Sequence, residues 1–432
     1  MNNQELWYRS EAGTWVDPKG ESSLRSHLAK ACGQMVYASD MYLPNMLVGK
    51  ALRSPYPHCK INHIDVSAAE KIPGVHAVLT AKDIPGKNFV GKTVDDQPFI
   101  ASTKARTVLD TLAIVAAENE EIADRALQAI VLDLEPLPAV FTPQEALLPD
   151  SPQLYPNGNL LLDFSIIHGN AQEAMKQADV IVEDTYRYPW IEHAYLETES
   201  VVAVADEDGI ITVWLGVHNI YGERQVLSQA FGWPEHKFRV IHVPPGGSFG
   251  GKDDNIITVW AALLAYRTGR PVRFVLSRKD SMRGHSKRQS QIVHHKLGAL
   301  YDGTIVAAQV EILSDTGAYA HWGIGIIQFA SLQSTGPYRV PNASVNAKLV
   351  YTNNIVGGAM RCWGTPGVEF AAETQMNRLA EELEMHPLKL RWINALRKGD
   401  LTITGTEVPP DCYVKETIEA AAHSIGLTLD GR

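Results

Sequence analysis

VPPGGSFGGKDDNIITVWAALLAY, residues 243–266, has the composition of a turn between a strand and a helix. The apolar run FRVIHV (238–243) leads into it and is typical of a buried strand. Four glycines follow between 246 and 251, where the backbone can adopt conformations that other residues rarely reach. The apolar stretch NIITVWAALLAYRTG (255–269) then predicts a helix closed by its last glycine.

The spacing from Gly246 onwards is G-x-x-x-x-G-K-D, which differs at its last position from a nucleotide P-loop. A P-loop needs Ser or Thr after the lysine to hold Mg²⁺. Asp253 stands there instead, followed by Asp254, and two carboxylates would repel a triphosphate. The sequence therefore disfavours an ATP site. On spacing alone, a glycine-rich turn without a ligand is the simplest interpretation.

The composition of the chain excludes several classes of function. Its 432 residues carry a net charge of −10 without a basic tract, so nucleic-acid binding is not expected. The four cysteines form no CxxC pair, which argues against a zinc ribbon or an iron–sulfur cluster in this chain. The N-terminus lacks the blocks of a signal peptide, and the apolar runs are too short to span a bilayer. We expect a cytoplasmic protein that does not enter a membrane.

The chain divides at a proline-rich stretch between residues 134 and 156. Before it, TLAIVAA (111–117), a helix capped by Asn119 and VLDLEPL (131–137) predict a strand–helix–strand unit, hence an α/β domain. After it, further strands and helices follow, including a helix whose face is formed by Phe370, Met376, Leu379 and Leu383. We predict an N-terminal extension, a first domain, a linker, a second domain and a tail, at residues 1–30, 31–140, 141–156, 157–400 and 401–432.

Several motifs resemble those of the molybdenum hydroxylases, the xanthine dehydrogenase and aldehyde oxidase family. GGSFGGKDD (246–254) resembles the family's GGGFGGKE turn, and IEHAYLETE (191–199) resembles QEHFYLET. AMRCWGTPGVEF (359–370) stands where the family has AFRGFGxPQ, and IPGVHAVLTAKDIPG (72–86) resembles its hammerhead segment. The resemblance covers about residues 30–400. It implies a mixed α+β and α/β fold, with a hammerhead-like α/β domain followed by the first molybdopterin-binding domain.

The resemblance also implies which residues serve a molybdenum–molybdopterin cofactor, in a dinucleotide form. The residues that would bind it are Gly247, Ser248, Phe249, Gly250, Gly251, Arg361 and Cys362. The residues that would surround the molybdenum are His218, Phe249 and Arg361. The residues that would face the substrate are Asp253, Phe329 and Trp363. For Asp253, a carboxylate that merely stabilises a helix start is an equally good interpretation, and Trp363 could be an ordinary core tryptophan.

Three positions depart from the family pattern. His218 replaces a glutamine that contacts the metal's apical oxo group, and could instead be a surface or packing histidine. Phe329 replaces an arginine that orients purines, which implies a more apolar pocket. Cys362 replaces a glycine, at a position where copper-containing carbon monoxide dehydrogenases hold copper through sulfur. A lone cysteine is more often a small buried hydrophobic residue.

The family's catalytic glutamate stands in a GxGE motif, which this sequence lacks. The resemblance therefore implies the first half of a split catalytic subunit, organised like that of nicotinate dehydrogenase and active only with a partner chain. The second-half molybdopterin subunit would carry the glutamate and receive the tail. Iron–sulfur and flavin subunits, with 2Fe–2S and FAD, would accept the electrons.

The expected reaction is the oxidative hydroxylation of an N-heteroaromatic or aldehyde carbon, with water as the oxygen source. Two alternatives remain open. The chain could be a non-catalytic structural or assembly subunit of such a complex, or a copper-dependent relative that uses Cys362.

Overall fold

The computed structural model describes residues 28–253 and 256–429. The extension predicted for residues 1–30 therefore lies, up to residue 27, outside the described residues. The strands of the described part are β1 (Leu47–Arg53), β2 (Cys59–Asp65), β3 (Val75–Leu79), β4 (Phe89–Val90), β5 (Gln97–Pro98), β6 (Lys104–Ala105), β7 (Thr111–Ala117), β8 (Val131–Pro136), β9 (Leu160–His168), β10 (Val180–Tyr188), β11 (Ser200–Ala205), β12 (Ile211–Leu215), β13 (Phe238–His242), β14 (Val272–Val275), β15 (Gln291–Ala299), β16 (Ile305–Gly317) and β17 (Ala343–Tyr351).

The α-helices are α1 (Ser67–Glu70), α2 (Glu120–Ala129), α3 (Pro143–Ala146), α4 (Ala171–Met175), α5 (Ile220–Phe231), α6 (Ile256–Thr268), α7 (Arg278–Gly284), α8 (Gly323–Gln333), α9 (Thr365–Glu382), α10 (Pro387–Asn394) and α11 (Val414–Ser424). The architecture is a mixture of α and β, as predicted. No helix in the described ranges is long and apolar enough to cross a membrane.

A seven-stranded sheet forms the first layer, in the order β13-β12-β11-β14-β1-β7-β3. It takes strands from both sides of the predicted linker, because β1 pairs in parallel with β14, starting at Leu47 opposite Val272. Helix α6 packs across this sheet and is buried along most of its length, with Trp260 only 1% exposed. The glycine turn (residues 244–253) therefore lies between an inner helix and an edge strand, since β13 ends at His242 and α6 begins at Ile256.

A five-stranded sheet forms the second layer, in the order β10-β15-β16-β17-β9. Helices α8 and α9 pack against it and against each other. The core between them includes Val293, Val345, Met376 and Leu379, which are all buried. Phe370, predicted on the same helix face, is instead 51% exposed, so that part of the prediction is wrong. Phe370 lies in the first turns of α9 and contacts the ring of Tyr186 edge-on.

The strand–helix–strand prediction for residues 111–137 gave the right elements but the wrong sheet. Asn119 caps α2 by accepting a hydrogen bond from the Ile122 N–H, as expected. However, β7 belongs to the seven-stranded sheet, whereas β8 pairs with β2 in a separate sheet of order β6-β2-β8. The two strands differ in burial, because β7 is buried at every residue and β8 is largely exposed. A fully buried run suits a sheet covered on both faces, and β8 does not have that character.

The turns and helix ends predicted from glycines agree with the structure. DEDG (206–209) connects the antiparallel strands β11 and β12, and YDG (301–303) connects β15 and β16. Helix α5 ends at Gly232, whose φ of 67° is left-handed, and Gly269 follows α6 with a φ of 64°. The predicted linker 141–156 contains α3, and the predicted tail contains α11, which packs on α10.

Candidate functional site

The glycine turn, residues 244–253, has an unusual backbone. Gly247 and Gly250 have φ values of 100° and 102°, and Phe249 between them has 53°. Among the described residues, the N–H groups of 247–250 meet no hydrogen-bond acceptor. Consecutive N–H groups of this kind form a concavity that attracts anions. The side chain of Phe249 points outward and is 52% exposed.

The arginine loop, residues 359–364, packs directly on the glycine turn. The Arg361 N–H donates to the Phe249 carbonyl at 2.9 Å. A Cβ atom added at Gly250 would lie 2.7 Å from the Ala359 carbonyl oxygen, so only glycine permits this approach. Cys362 also has a left-handed φ, of 73°, and the side chains of Arg361 and Cys362 are exposed. The fold thus brings together the predicted cofactor residues 247–251, Arg361 and Cys362.

Glu197 holds both ends of the glycine turn. Its Oε2 accepts from the Gly246 N–H at 2.6 Å and from Lys252 Nζ at 2.7 Å. Lys252 is buried, with a side chain only 2% exposed, and it also lies 5.0 Å from the ring centroid of Tyr195. A lysine committed in this way does not face a bound triphosphate, which agrees with the sequence-based rejection of an ATP site.

A buried ion-pair network lies beneath the two loops. His285 Nε2 lies 3.0 Å from Glu192 Oε1, and His285 Nδ1 lies 2.8 Å from Glu199 Oε1. Lys287 Nζ pairs with Glu192 Oε2 at 2.7 Å. With Glu197 and Lys252, the network contains three carboxylates and three groups that can be cationic, so its charges balance when His285 is protonated.

The electrostatics of the network favour that state. Burial alone would lower the pKa of His285, but its hydrogen bonds to Glu192 and Glu199 raise it to about 9. Burial alone would raise the pKa of Glu199, but hydrogen bonds from His285 and Tyr195 lower it to about 2. The pKa of Glu192 is likewise lowered by His285 and Lys287 against the effect of burial.

Glu192, His193 and His285 also offer three metal-ligand atoms within 4.8 Å of one another. Two imidazoles and a carboxylate can bind a transition metal. The protonated His285 and the neighbouring Lys287 already compensate the Glu192 carboxylate, at 3.0 Å from its Oε1 and 2.7 Å from its Oε2. The arrangement is therefore explained by ion pairs without a metal.

An aromatic cluster, formed by Trp322, Trp363 and Phe329, adjoins the glycine turn. Trp322 and Trp363 meet edge to face with ring centroids 5.2 Å apart, and Phe329 lies 6.4 Å from Trp363. The Trp322 indole N–H donates to Asp253 Oδ2 at 2.6 Å, and His218 Nδ1 lies 3.5 Å from Asp253 Oδ1. The side chain of His218 is 78% exposed, whereas that of Asp253 is only 11% exposed. The three predicted substrate residues therefore lie in one region, although Asp253 is held by Trp322.

Several residues of this region were not singled out from the sequence. Nothing in the sequence marked Trp322 as a partner of Asp253. Lys92 lies far away in the chain, yet its Nζ donates to the Asp253 carbonyl at 3.1 Å and lies over the Trp322 ring. Arg288 is 7% exposed and donates from Nη2 to the Arg361 carbonyl, while its Nε and Nη1 have no partner among the described residues. His193 and Glu197 stood inside the quoted motif IEHAYLETE, but without a role.

Comparison with protein-family models shows which family the chain belongs to. A model described as the molybdopterin cofactor-binding domain matches residues 154–395, more than half of the chain. A model described as the aldehyde oxidase and xanthine dehydrogenase a/b hammerhead domain matches residues 32–138. The chain belongs to the aldehyde oxidase and xanthine dehydrogenase family. The resemblance noted from the sequence motifs is thus confirmed, and so is the predicted order of a hammerhead domain and a molybdopterin-binding domain.

Curated relatives within this family match most of the chain. It is 39% identical to the nicotinate dehydrogenase large molybdopterin subunit of Eubacterium barkeri, over 91% of this chain and 93% of that subunit. It is also 39% identical to a probable xanthine dehydrogenase subunit of Bacillus subtilis, over 91% of this chain but 53% of that protein. The chain therefore spans about half the length of several curated relatives it matches, and nearly all of the nicotinate dehydrogenase subunit.

Solved structures agree with this assignment. The aldehyde oxidoreductase of Desulfovibrio gigas superposes with a TM-score of 0.88 at 29% identity, over 92% of this chain and 45% of that one. The Cu,Mo-CO dehydrogenase superposes with a TM-score of 0.84 at 29% identity, over 93% of this chain and 54% of that one.

The donor set of the two loops fits a molybdopterin cofactor, which carries anionic phosphate and oxo groups. The N–H groups of 247–250 have no acceptor in the described part of the chain. Arg361 is exposed beside them, and its backbone N–H ties it to the Phe249 carbonyl at 2.9 Å. Backbone donors and a guanidinium are the groups that bind oxyanions best. The site therefore suits an anion of this kind.

Proposed function

We propose that the chain is the first-half molybdopterin-binding subunit of a split molybdenum hydroxylase, with a cofactor in a dinucleotide form. The observation that carries this proposal is the apposition of the glycine turn and the arginine loop through the Arg361 N–H and the Phe249 carbonyl, at 2.9 Å. Support comes from the similarity to the nicotinate dehydrogenase large molybdopterin subunit, of which the chain matches 93%.

Each part of the site has a physical task in this function. The N–H groups of 247–250 and the guanidinium of Arg361 would bind the anionic cofactor. The exposed ring of Phe249 would exclude water above the turn, which strengthens these interactions. When bound, the molybdenum cofactor supplies the two-electron oxidation, and water supplies the oxygen. His218 and Phe249 would lie beside the metal, while the general-base glutamate would come from the partner chain.

The aromatic cluster supports a flat or apolar substrate. Trp363 and Trp322 offer ring faces for stacking, and Phe329 adds apolar surface where a purine-binding site would need a cation. We propose an N-heteroaromatic or aldehyde substrate, with Asp253 contacting one polar edge. The names of two relatives, a nicotinate dehydrogenase and an aldehyde oxidoreductase, agree with these two classes. The electrons would leave through iron–sulfur and flavin subunits that carry 2Fe–2S and FAD.

A copper-dependent function is the second candidate, because Cys362 is exposed rather than buried. Its thiol lies on the arginine loop directly after Arg361. The similarity to the Cu,Mo-CO dehydrogenase supports this candidate function. The chain is, however, equally similar to an enzyme whose name does not mention copper.

Purification of the complex with its endogenous partner chains tests these proposals. The complex is assayed for molybdenum and copper, and for transfer of ¹⁸O from labelled water into the oxidised product. Molybdenum without copper, together with ¹⁸O in the product, supports the hydroxylase. Molybdenum with stoichiometric copper would favour the second candidate. A complex without either metal would overturn both and leave a structural or assembly role.

A further inference from the structure

We propose that His193 is a positioning residue, whose imidazole locks the arginine loop against the glycine turn in the geometry that binds the cofactor. This inference rests on the proposed function for its consequences at the cofactor. The claim that His193 holds the two loops together concerns only the loops and does not depend on that function. The buried ion-pair network beneath His193 serves to keep its ring in the required orientation.

The imidazole of His193 touches both loops. Its Nε2 lies 2.8 Å from the Ala359 carbonyl oxygen at the start of the arginine loop. A Cβ atom at Gly251 of the glycine turn would lie 3.0 Å from His193 Cγ and Nδ1, so the ring packs on that backbone. The Ala359 carbonyl is also the group that excludes a side chain at Gly250. One carbonyl therefore joins the histidine, the glycine turn and the arginine loop.

Hydrogen-bond chemistry fixes the state of both histidines. Because Nε2 of His193 donates to a carbonyl, its Nδ1 acts as an acceptor in the neutral ring. That Nδ1 lies 3.3 Å from His285 Nε2, which therefore carries a hydrogen. His285 Nδ1 lies 2.7 Å from the Ser281 carbonyl and 2.8 Å from Glu199 Oε1, so it carries a hydrogen as well. His285 is therefore doubly protonated, and the hydrogen on its Nε2 is shared between Glu192 Oε1 at 3.0 Å and His193 Nδ1 at 3.3 Å. The donation to Ala359 fixes the tautomer of His193, and the hydrogen shared by His285 favours the same tautomer.

The network beneath is better suited to positioning than to stability. Ion pairs taken out of water gain little net stability, since desolvation offsets much of their attraction. They do impose defined geometry, because breaking one partner leaves a buried charge unpaired. Glu197 acts in parallel at the other side, where it accepts from the Gly246 N–H at 2.6 Å and pairs with Lys252. The segment 191–199 therefore holds the arginine loop through His193 and the glycine turn through Glu197.

Two variants of the full complex separate the positioning role from general packing. His193→Gln places an amide N–H near the position of Nε2, so it retains the donor to Ala359. His193→Asn has a similar polarity, but its shorter side chain places the amide near Nδ1 and leaves the Ala359 carbonyl without a donor. His295→Asn is the matched control, because His295 is also buried and lies 3.2 Å from a backbone carbonyl, in the five-stranded sheet.

Two readouts are measured on each variant. The first is hydrogen exchange of the peptide that covers the arginine loop, which can also be compared between complexes that hold no cofactor. The second is the molybdenum and pterin content of the complex. We expect His193→Asn to speed loop exchange and lower cofactor retention by about tenfold, which is the scale of losing an outer partner of a bound centre. His193→Gln and His295→Asn should leave both readouts near those of the wild type.

Unchanged loop exchange in His193→Asn would overturn the proposal, and so would a His193→Gln variant as impaired as His193→Asn. Equal effects of His193→Asn and His295→Asn would also overturn it, by assigning the effect to general destabilisation. A wild-type complex that holds no cofactor would refute the proposed function instead, while the exchange readout would still decide the role of His193.

Discussion

Asp253 shows how a buried carboxylate depends on a partner that is distant in the chain. The sequence placed Asp253 at the start of a helix or in a substrate pocket. The structure adds that its Oδ2 accepts a hydrogen bond from Trp322 Nε1 at 2.6 Å. The backbone carbonyl of Asp253 also accepts a hydrogen bond from Lys92 Nζ. Both partners come from other segments, so no local pattern could have revealed them. The orientation of the carboxylate is therefore set by Trp322.

Replacing Trp322 by Phe should lower kcat/KM of the assembled enzyme. The variant keeps an aromatic ring but leaves Asp253 Oδ2 without its donor, at a cost of about 1–3 kcal/mol. If Asp253 contacts the substrate, this corresponds to a loss of about 5- to 150-fold in kcat/KM. Trp392→Phe is the control. The Trp392 indole also donates to a carboxylate, that of Glu419 at 2.7 Å, but neither residue belongs to the candidate site. Wild-type kinetics in Trp322→Phe would show that the pocket lies elsewhere.

Arg361 should be required for cofactor retention rather than for folding. Arg361→Ala removes an exposed guanidinium beside the N–H groups of 247–250, so the molybdenum content of the complex should fall about tenfold or more. Arg361→Lys should restore only part of it, since a point charge cannot reproduce the planar donor fork. Arg125→Ala, an exposed arginine on α2, should retain full occupancy. Full occupancy in both Arg361 variants would mean that the arginine loop does not face the cofactor.

At the scale of elements, the glycine turn and the arginine loop behave as one unit. Gly250→Ala should disturb both, because alanine is strained at a φ of 102° and its Cβ would approach Ala359. Gly405→Ala isolates the first effect, since Gly405 has a φ of 77° with nothing within 4 Å of an added Cβ. The left-handed conformation alone costs roughly 1–2 kcal/mol.

We therefore expect Gly250→Ala to lose more stability to urea than Gly405→Ala and to lose molybdenum as well. Gly405→Ala should lose only stability. Similar losses of stability in the two variants, with molybdenum retained in both, would mean that the close approach at Ala359 is not needed.

Local sequence patterns predicted the individual strands, helices and turns well. They predicted much less well how these elements pack together. The apolar run of β7, the Asn119 cap and the glycines that end α5 and α6 all act through neighbouring residues, so the sequence shows them directly. The pairing of β8 with β2 and the exposure of Phe370 depend on what packs above each element. The same distinction between local and long-range features holds for the candidate site. The motifs located both loops, but the contact of His193 with Ala359 spans 166 residues and no local signal reports it.

At the scale of the whole molecule, the seven-stranded sheet joins the two parts of the chain. Strands β1, β3 and β7 come from before the proline-rich stretch, whereas β11 to β14 come from after it. Residues of the first part consequently reach the aromatic cluster. Lys92 lies over Trp322, and the Thr93 hydroxyl donates to the His321 carbonyl at 3.2 Å.

The buried ion-pair network should give the chain a distinct pH dependence. The pKa of His285 is raised from 6.5 to about 9, so its stabilising effect is complete below about pH 6.5 and disappears as the pH rises through about 9. The titratable groups that face it include Glu192, Glu199, Lys287, His193 and Tyr195. The lowered pKa of Glu199 acts in the opposite direction, since that contribution is lost only as the pH falls towards about 2.

The unfolding midpoint should therefore fall as the pH rises from neutral towards about 9. Thermal unfolding followed by circular dichroism over that range checks this, and His285→Gln should flatten the decline. A wild-type midpoint that stays constant over this interval would show that His285 is not protonated in the folded chain.

The molybdenum content of the complex purified from its native host tests the central claim most directly. If the glycine turn and the arginine loop form half of a molybdopterin site, the complex should contain one molybdenum and one pterin for each copy of this chain. A stable complex that contains this chain and its partners without molybdenum would contradict the account.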